Sequence, residues 1–494
     1  MYNGAMSYPC LAELLEALHD AGQLVRIEPA VEADLEVAAV TQRVATDGPA
    51  LLFGHVAGRE TPVVTNLLAS EARICRSLGV GELGELRARL EELFDDGSPH
   101  GWLEQLRGYA GGGPLRKFSP RSVRTGPCQQ VVRLGRDIDL GRFPFLRSLP
   151  GESEPVVTAG LVIAADGKSG RLVIEHHALR VVGRDELAPC WSPHDGLAEL
   201  FATHRRRRTR MPVAVVLGGD PSLLAVSVAP RPPQVDALGL AGLIAGRPQE
   251  LVACRTIDLQ VPAAAEIVIE GCIEPADGPA GPGRVAVSGG RLVKRAQTPR
   301  IHVTAVTHRA NPVCPAMVPG DPPDELSVVR QAMGRVFVPL ARAVIPEVVD
   351  WEFPTCGASG QWVFVSIDQT QPGQAVRVIH AMWGFAALAA SRLVVVVDSE
   401  VDVRGPLEVW AAVARHLDPA RDVWIERGLP GGVVGTADQG GTASRVAIDA
   451  TGKGPGLSSD GGEAMPEEII QRVKQRWDQL GLAEPGAKRW GRAS

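Results

Sequence analysis

The stretch that decides the fold is "VVTAGLVIAADGKSGRLVIEHHALRVV", residues 156–182. Two apolar, β-branched runs flank "DGKSG" (Asp166 to Gly170), the pattern of paired antiparallel strands joined by a turn. The turn segment lacks the upstream glycine of a phosphate-binding loop and links strand to strand, so it reads as a turn only. Within the second run stand Glu175, His176 and His177, and strands seldom bury an acid and two imidazoles without a reason. Alternation puts Glu175 and His177 on one face, with His176, Ala178 and Arg180 on the other.

Downstream the same plan recurs. "MPVAVVLGGDPSLLAVSVAP" (211–230), "AEIVIEGCIEP" (265–275) and "RIHVTAVTHR" (300–309) are further short strands bounded by turn residues. Together they predict an antiparallel barrel or sandwich decorated by helices. "THRRRRTR" (203–210) closes a helix, where cations suit the dipole, and reads as a solvated face.

The flanks are α/β in character. In "SYPCLAELLEALHDAGQLVRI" (7–27), Ser7 is the expected helix cap, Leu11, Leu14, Leu15 and Leu18 form the buried stripe, and Gly22 ends the helix. A second helix over Leu35 to Val44 leads to the strand "ALLF" (50–53). The Gly- and Pro-rich "YAGGGPLRKFSPRS" (109–122) marks a boundary. In the last third, "GQWVFVSI" (360–367) is a strand and "PGQAVRVIHAMWGFAALAA" (372–390) a helix opened by Pro372. "SRLVVVVDSEVDV" (391–403) reads as a strand buried on both faces, and "GPLEVWAAVARHL" (405–417) as the next helix.

Composition narrows the function. The chain has 494 residues, 45% hydrophobic and 22% charged, as expected of a soluble globular protein. A net charge of -6 argues against non-specific nucleic-acid binding. The 8 cysteines form no C-x-x-C pair, which excludes the usual zinc pattern and points to reduced thiols in the cytoplasm. There is no basic, then apolar leader at the N-terminus and no apolar run of membrane-spanning length.

Several segments, in order and spacing, resemble the UbiD family of decarboxylases, which use prenylated FMN. They include "GQLVRIEPAVEADLEVAAV", "GPALLFGHVAGRETPVVTNLLAS", "PVAVVLGGDPSLLAV", "VPAAAEIVIEG", "VTHRANP", "VSIDQTQPGQAVRVIHAMWG", "LVVVVDSEVDVRGPLEVWAAVARHLDPARDVWI" and "GTASRVAIDATGK". The resemblance implies three parts: an N-terminal α/β domain (1–115), a flavin-reductase-like split β-barrel that binds cofactor (116–315), and a C-terminal α/β oligomerisation domain (316–494). It also implies a homo-oligomer, a carboxylic acid substrate, and a flavin prenyltransferase as supplier of the cofactor.

The resemblance further implies site residues, and here the chain departs from the pattern. The family's Asn-x-x-x-x-Arg strand falls on Val173 to Ala178, so the metal-binding Asn and the substrate-binding Arg are absent. The metal His falls on His194, while the metal Glu falls on Ala237, next to Asp236. The family's divalent, manganese-like metal thus loses two of its three ligands. The segment that carries the family's acids aligns with "DGPAGP", keeping Asp277 and placing Pro282 where the second acid stood. The phosphate-binding Lys becomes Arg445, and Ser227, Pro230 and His194 complete the implied cofactor set.

Two expectations follow. In the first, the chain is a UbiD-like carboxy-lyase for an aromatic or α,β-unsaturated acid with non-standard catalytic residues: Glu175, His177 and Asp277 for proton transfer, and Arg180 in place of the missing guanidinium. In the second it is a non-catalytic or flavin-independent homologue, kept as a subunit or repurposed.

Overall fold

We analysed a computed structural model, which describes residues 7–44, 48–93, 114–166, 170, 172–192, 195–232, 235–295, 298–357, 361–371, 373–385, 388–389, 391–430, 442–453 and 466–480. The N-terminal elements are α1 (Leu11–Asp20), β1 (Leu24–Ile27), α2 (Glu36–Arg43), β2 (Ala50–Phe53), β3 (Val63–Thr65), α3 (Glu71–Ser77) and α4 (Leu83–Glu91). The leucine stripe of α1 is buried as its spacing requires. Ser7 does not cap it, however. Cys10 occupies the cap position without a side-chain bond, and the Ser7 hydroxyl instead donates to the buried Asp220 carboxylate at 3.1 Å. Pro9 explains the shift, because the residue before a proline is driven out of helical geometry.

The central region contains β4 (Arg121–Val123), β5 (Val131–Leu134), β6 (Val156–Ala165), β7 (Leu172–Gly183), β8 (Glu186–Pro189), α5 (Gly196–Arg207) and β9 (Met211–Leu217). It continues with α6 (Pro221–Val228), α7 (Ala237–Ala245), β10 (Glu250–Ala253), β11 (Gln260–Pro262), β12 (Ile267–Ile273), β13 (Gly283–Val287), β14 (Arg291–Arg295), β15 (Ile301–His308) and β16 (Cys314–Pro315). Strands β12, β9, β6, β7, β8 and β15 pair in that order, and β12 pairs again with β15. All six contacts are antiparallel, so the sheet closes into a barrel, with β5 added outside β15. The 156–182 stretch supplies β6 and β7 as the alternation demanded. One core gathers side chains from all six strands, among them Val162, Leu179, Leu187, Val215, Ile269 and Ile301. Leu161, Ile163 and Ile174 point the other way and pack, outside the barrel, on side chains of α6, α7 and later helices.

The C-terminal part begins with α8 (Glu325–Val336) and α9 (Val338–Val344). It then forms β17 (Val348–Glu352), β18 (Trp362–Ile367), α10 (Gln374–Gly384), β19 (Leu393–Asp398), α11 (Pro406–His416), β20 (Val423–Pro430), β21 (Thr442–Asp449) and α12 (Glu467–Gln475). The sheet order is β17-β18-β19-β21-β20, with β18, β19 and β21 parallel. Val394 and Val396 enter one core and Val395 and Val397 another, so β19 is buried on both faces. Helix α10 stops at Gly384, short of the expected Ala390. Pro372, expected to open it, lies outside the described residues; Gly373 stands at the cap with φ +86°.

Candidate active site on strand β7

The β6–β7 register fixes which way each β7 side chain points. Glu175 pairs with Val162 and His177 with Gly160, so both belong to the barrel's inner face, while His176 pairs with Leu161 on the outer face. The register shifts between Val157 and Gly160, which places a bulge beside Ala178.

On the inner face Glu175 meets the N-terminus of α5. Its carboxylate accepts from the amides of Gly196 (2.8 Å) and Leu197 (3.1 Å), where a helix leaves its first N–H groups unpaired. His177 Nε2 lies 3.0 Å from Glu175 Oε2, and His177 Nδ1 lies 3.8 Å from Asp195 Oδ2. Asp195 itself accepts from the Ser192 amide at 2.5 Å, and Trp191 packs edge-on to the His177 ring. Burial pulls the Glu175 carboxyl upward, but the His177 bond and charge and the two amides outweigh it and hold it below the usual range. Burial has the upper hand at Asp195, whose carboxyl is raised.

The outer face differs. His176 Nε2 is 2.9 Å from the Thr158 carbonyl oxygen, and burial, with the Arg330 charge from α8, pushes its pKa down to about 3. The imidazole is therefore neutral at physiological pH. Beside this face runs the segment after α6, where Arg231 Nη2 donates to the Ile174 carbonyl of β7 at 3.1 Å. Of the implied cofactor set, Ser227 lies in the last turn of α6, where its hydroxyl donates to Leu224 O at 2.7 Å, and Pro230, just after the helix, is buried.

The remaining expected residues are dispersed. Arg180 is 1% exposed, donates to Glu154 at 3.2 Å and to Gly281 O at 2.7 Å, and lies against Gly283, where a Cβ would sit 1.8 Å from its Nη1. It clamps the 281–283 backbone to the barrel. Asp277 is exposed and bonded to His302 at 2.5 Å, and its described contacts do not bring it to Glu175 or His177. Arg445 pairs across strands with Glu426 and stacks over Trp383 at 4.3 Å, in the C-terminal sheet. His194 lies outside the described residues.

Sequence reading missed Asp195, Glu154 and Arg330. Asp195 carried a signal, an Asp directly before "GLAEL", the mark of a helix cap. Glu154 and Arg330 carried none, since each meets β7 only through the fold.

Family models match the chain in three successive blocks. Residues 15–93 match the 3-octaprenyl-4-hydroxybenzoate carboxy-lyase N-terminal domain, 121–322 its Rift-related domain, and 327–450 its C-terminal domain. The chain belongs to the UbiD family. An uncharacterized protein of Aquifex aeolicus (strain VF5) is 33% identical over 482 residues, covering 96% of this UbiD-family chain and 99% of its own. Among solved structures, the UbiD-class enzyme HmfF from Pelotomaculum thermopropionicum, in complex with FMN, superposes with a TM-score of 0.73 at 27% identity over 94% of this chain and 99% of that one. The vanillic acid decarboxylase of Sedimentibacter hydroxybenzoicus, in closed form, gives 0.81 at 22% identity over 96% and 100%, a likeness of fold. No helix among the described residues is long and apolar enough to cross a membrane.

Proposed function

We propose that this UbiD-family chain is a carboxy-lyase that removes carbon dioxide from an aromatic or α,β-unsaturated acid with the help of prenylated FMN. Family membership across three consecutive domains supports the reaction class, and the binding of FMN and of prenylated FMN by HmfF supports the cofactor. When bound, that cofactor supplies the electron sink for loss of carbon dioxide. Ser227, Pro230 and Arg445 would hold it, with His194. The observation that carries this reading is the Arg231 bond to the Ile174 carbonyl, which ties the segment just after α6 to strand β7.

The chain's own residues then divide the work. Arg330, whose charge reaches both His176 and Asp195, receives the substrate carboxylate in place of the guanidinium missing at Ala178. His176, kept neutral, spends its one N–H on the Thr158 carbonyl, so it adds no positive charge beside that carboxylate. Glu175 and His177 form a hydrogen-bonded pair on the opposite, inner face, where Glu175 fixes α5. No step is routed through a metal: Val173 and Ala237 carry no ligating atoms, and Asp236 is already engaged as the cap of α7 through the Leu238 and Gly239 amides. All 8 cysteines are free thiols, which supports a cytoplasmic setting.

The second reading, a non-catalytic homologue, is favoured by one observation. Both Glu175 oxygens are already engaged, by Gly196, Leu197 and His177. Co-expression with a flavin prenyltransferase decides between the two. The enzyme reading expects a flavin-like absorbance band on the purified protein and carbon dioxide release from a panel of aromatic and unsaturated acids. A protein that stays colourless and inert under those conditions rejects it.

A further inference from the structure

As sequence, "THRRRRTR" (203–210) is a solvated helix end; the structure shows that this end breaks local rules without internal compensation. Helix α5 runs to Arg207, and Arg205, Arg206, Arg207, Arg208 and Arg210 are all exposed around its C-terminus. Arg210 pairs with Glu274 at 2.6 Å, and Arg206 Nη2 donates to Thr203 Oγ1 at 3.1 Å. Among the described residues, the side chains of Arg205, Arg207 and Arg208 make no hydrogen bond or ion pair. A helix C-terminus carries about half a negative charge, so the dipole answers only a fraction of these guanidiniums. The rest repel one another.

The backbone is also held against preference. Arg208 takes the left-handed cap with φ +54°, a position where glycine is the relaxed residue. The turn is nonetheless firmly built. His204 is 7% exposed, its Nδ1 lies 3.0 Å from Thr209 Oγ1, and its carbonyl accepts from the Thr209 amide at 3.0 Å. Repulsion and strain at one fixed spot, with no return inside the chain, mark a surface kept for something outside it.

We propose that this helix end docks a short acidic segment of another protein. A planar guanidinium fork matches a carboxylate, and the charge distribution selects the class of partner. The chain totals -6, so with these five arginines set aside the remainder carries -11. A long polyanion such as duplex DNA, or an anionic membrane, would extend from the arginines onto that negative remainder. A short acidic segment stays within the helix end.

The test titrates the full chain with a fluorescein-labelled hexaglutamate peptide and follows its anisotropy. Wild type should bind the peptide with an affinity that falls as salt rises. Arg205→Gln combined with Arg207→Gln should weaken binding about tenfold. Arg208→Gly should also weaken it while raising the melting temperature, since it relieves both the backbone and the repulsion. No peptide binding by wild type, or equal affinity in the double variant, overturns the proposal. So does an Arg208→Gly protein that is more stable and binds unchanged. Tighter binding of duplex DNA or of phosphatidylglycerol vesicles than of the peptide overturns it in favour of that ligand. A lower mass of the double variant in light scattering makes the occupant a second copy and overturns a separate partner.

Discussion

Glu175 accepts a 2.8 Å hydrogen bond from the Gly196 amide, so a strand carboxylate closes the first turn of a helix. Cβ-free backbone is required there: a methyl on Gly196 would stand 2.7 Å from Glu175 Oε1. Glu175→Ala removes the acceptor of two amides and the partner of His177. Urea unfolding should show a loss of about 2–3 kcal/mol, and Glu175→Gln a smaller one. Because the folded carboxyl titrates below its ordinary value of 4.5, its contribution is present above that pH and disappears as acid titrates it. Equal acid sensitivity in wild type and Glu175→Gln would contradict this account.

Glu325 sets the opposite pH dependence. It is 5% exposed at the start of α8, where Oε1 accepts from the Leu68 amide at 2.7 Å and Oε2 is buried with no hydrogen-bond partner among the described residues. Burial raises its carboxyl to about 7, with the amides of Leu68 and Asn66 and the Arg73 charge pulling the other way. An acid raised on folding binds a proton more tightly in the folded state, so stability falls as pH climbs from about 4.5 to about 7. The total loss is about 3 kcal/mol. Glu325→Gln should flatten that slope in thermal melts taken across the range.

Gly283→Ala should disturb the Arg180 clamp. The added methyl meets a guanidinium hemmed in by Glu154 and the Gly281 carbonyl, and overpacking of this kind costs about 1–3 kcal/mol. Differential scanning calorimetry of Gly283→Ala beside Arg180→Met separates crowding from lost pairing. If the glycine variant melts with wild type, the close approach has no energetic weight.

How much of this was legible beforehand depends on range. The β6–β7 hairpin and the doubly buried β19 were readable because alternation and unbroken valine runs are local properties. The strands alone left barrel and sandwich open, and the family resemblance pointed to the barrel, since β12 and β15 find each other only in three dimensions. At the site, alternation correctly separated Glu175 and His177 from His176. What it could not show was the partner waiting on each side: α5 for one face, α6 and α7 for the other. Arg180 illustrates the same gap, because its position was plain while Glu154, its counter-charge, lay before β6.

The expected homo-oligomer has a candidate surface. Leu407 (68% exposed), Trp410 (38%) and Ile425 (56%) lie on α11 and β20, an apolar surface suited to a second copy of the chain. Light scattering should report an oligomer for wild type, and Leu407→Glu combined with Trp410→Glu should lower the measured mass. A wild-type monomer at micromolar concentration would rule this out.

Because β12 meets β15, the ring has no loose end. An inserted or deleted residue in β7 has nowhere to run out, and a slip of one position would turn every imidazole and carboxylate of that strand inside out. The register shifts at Val157–Gly160, Val181–Gly183 and Glu270–Gly271 show the accommodation the ring permits, a kink taken up in place. Divergence along this strand is therefore confined to swapping side chains at fixed stations, which makes each station's identity a record of what its side of the wall is for.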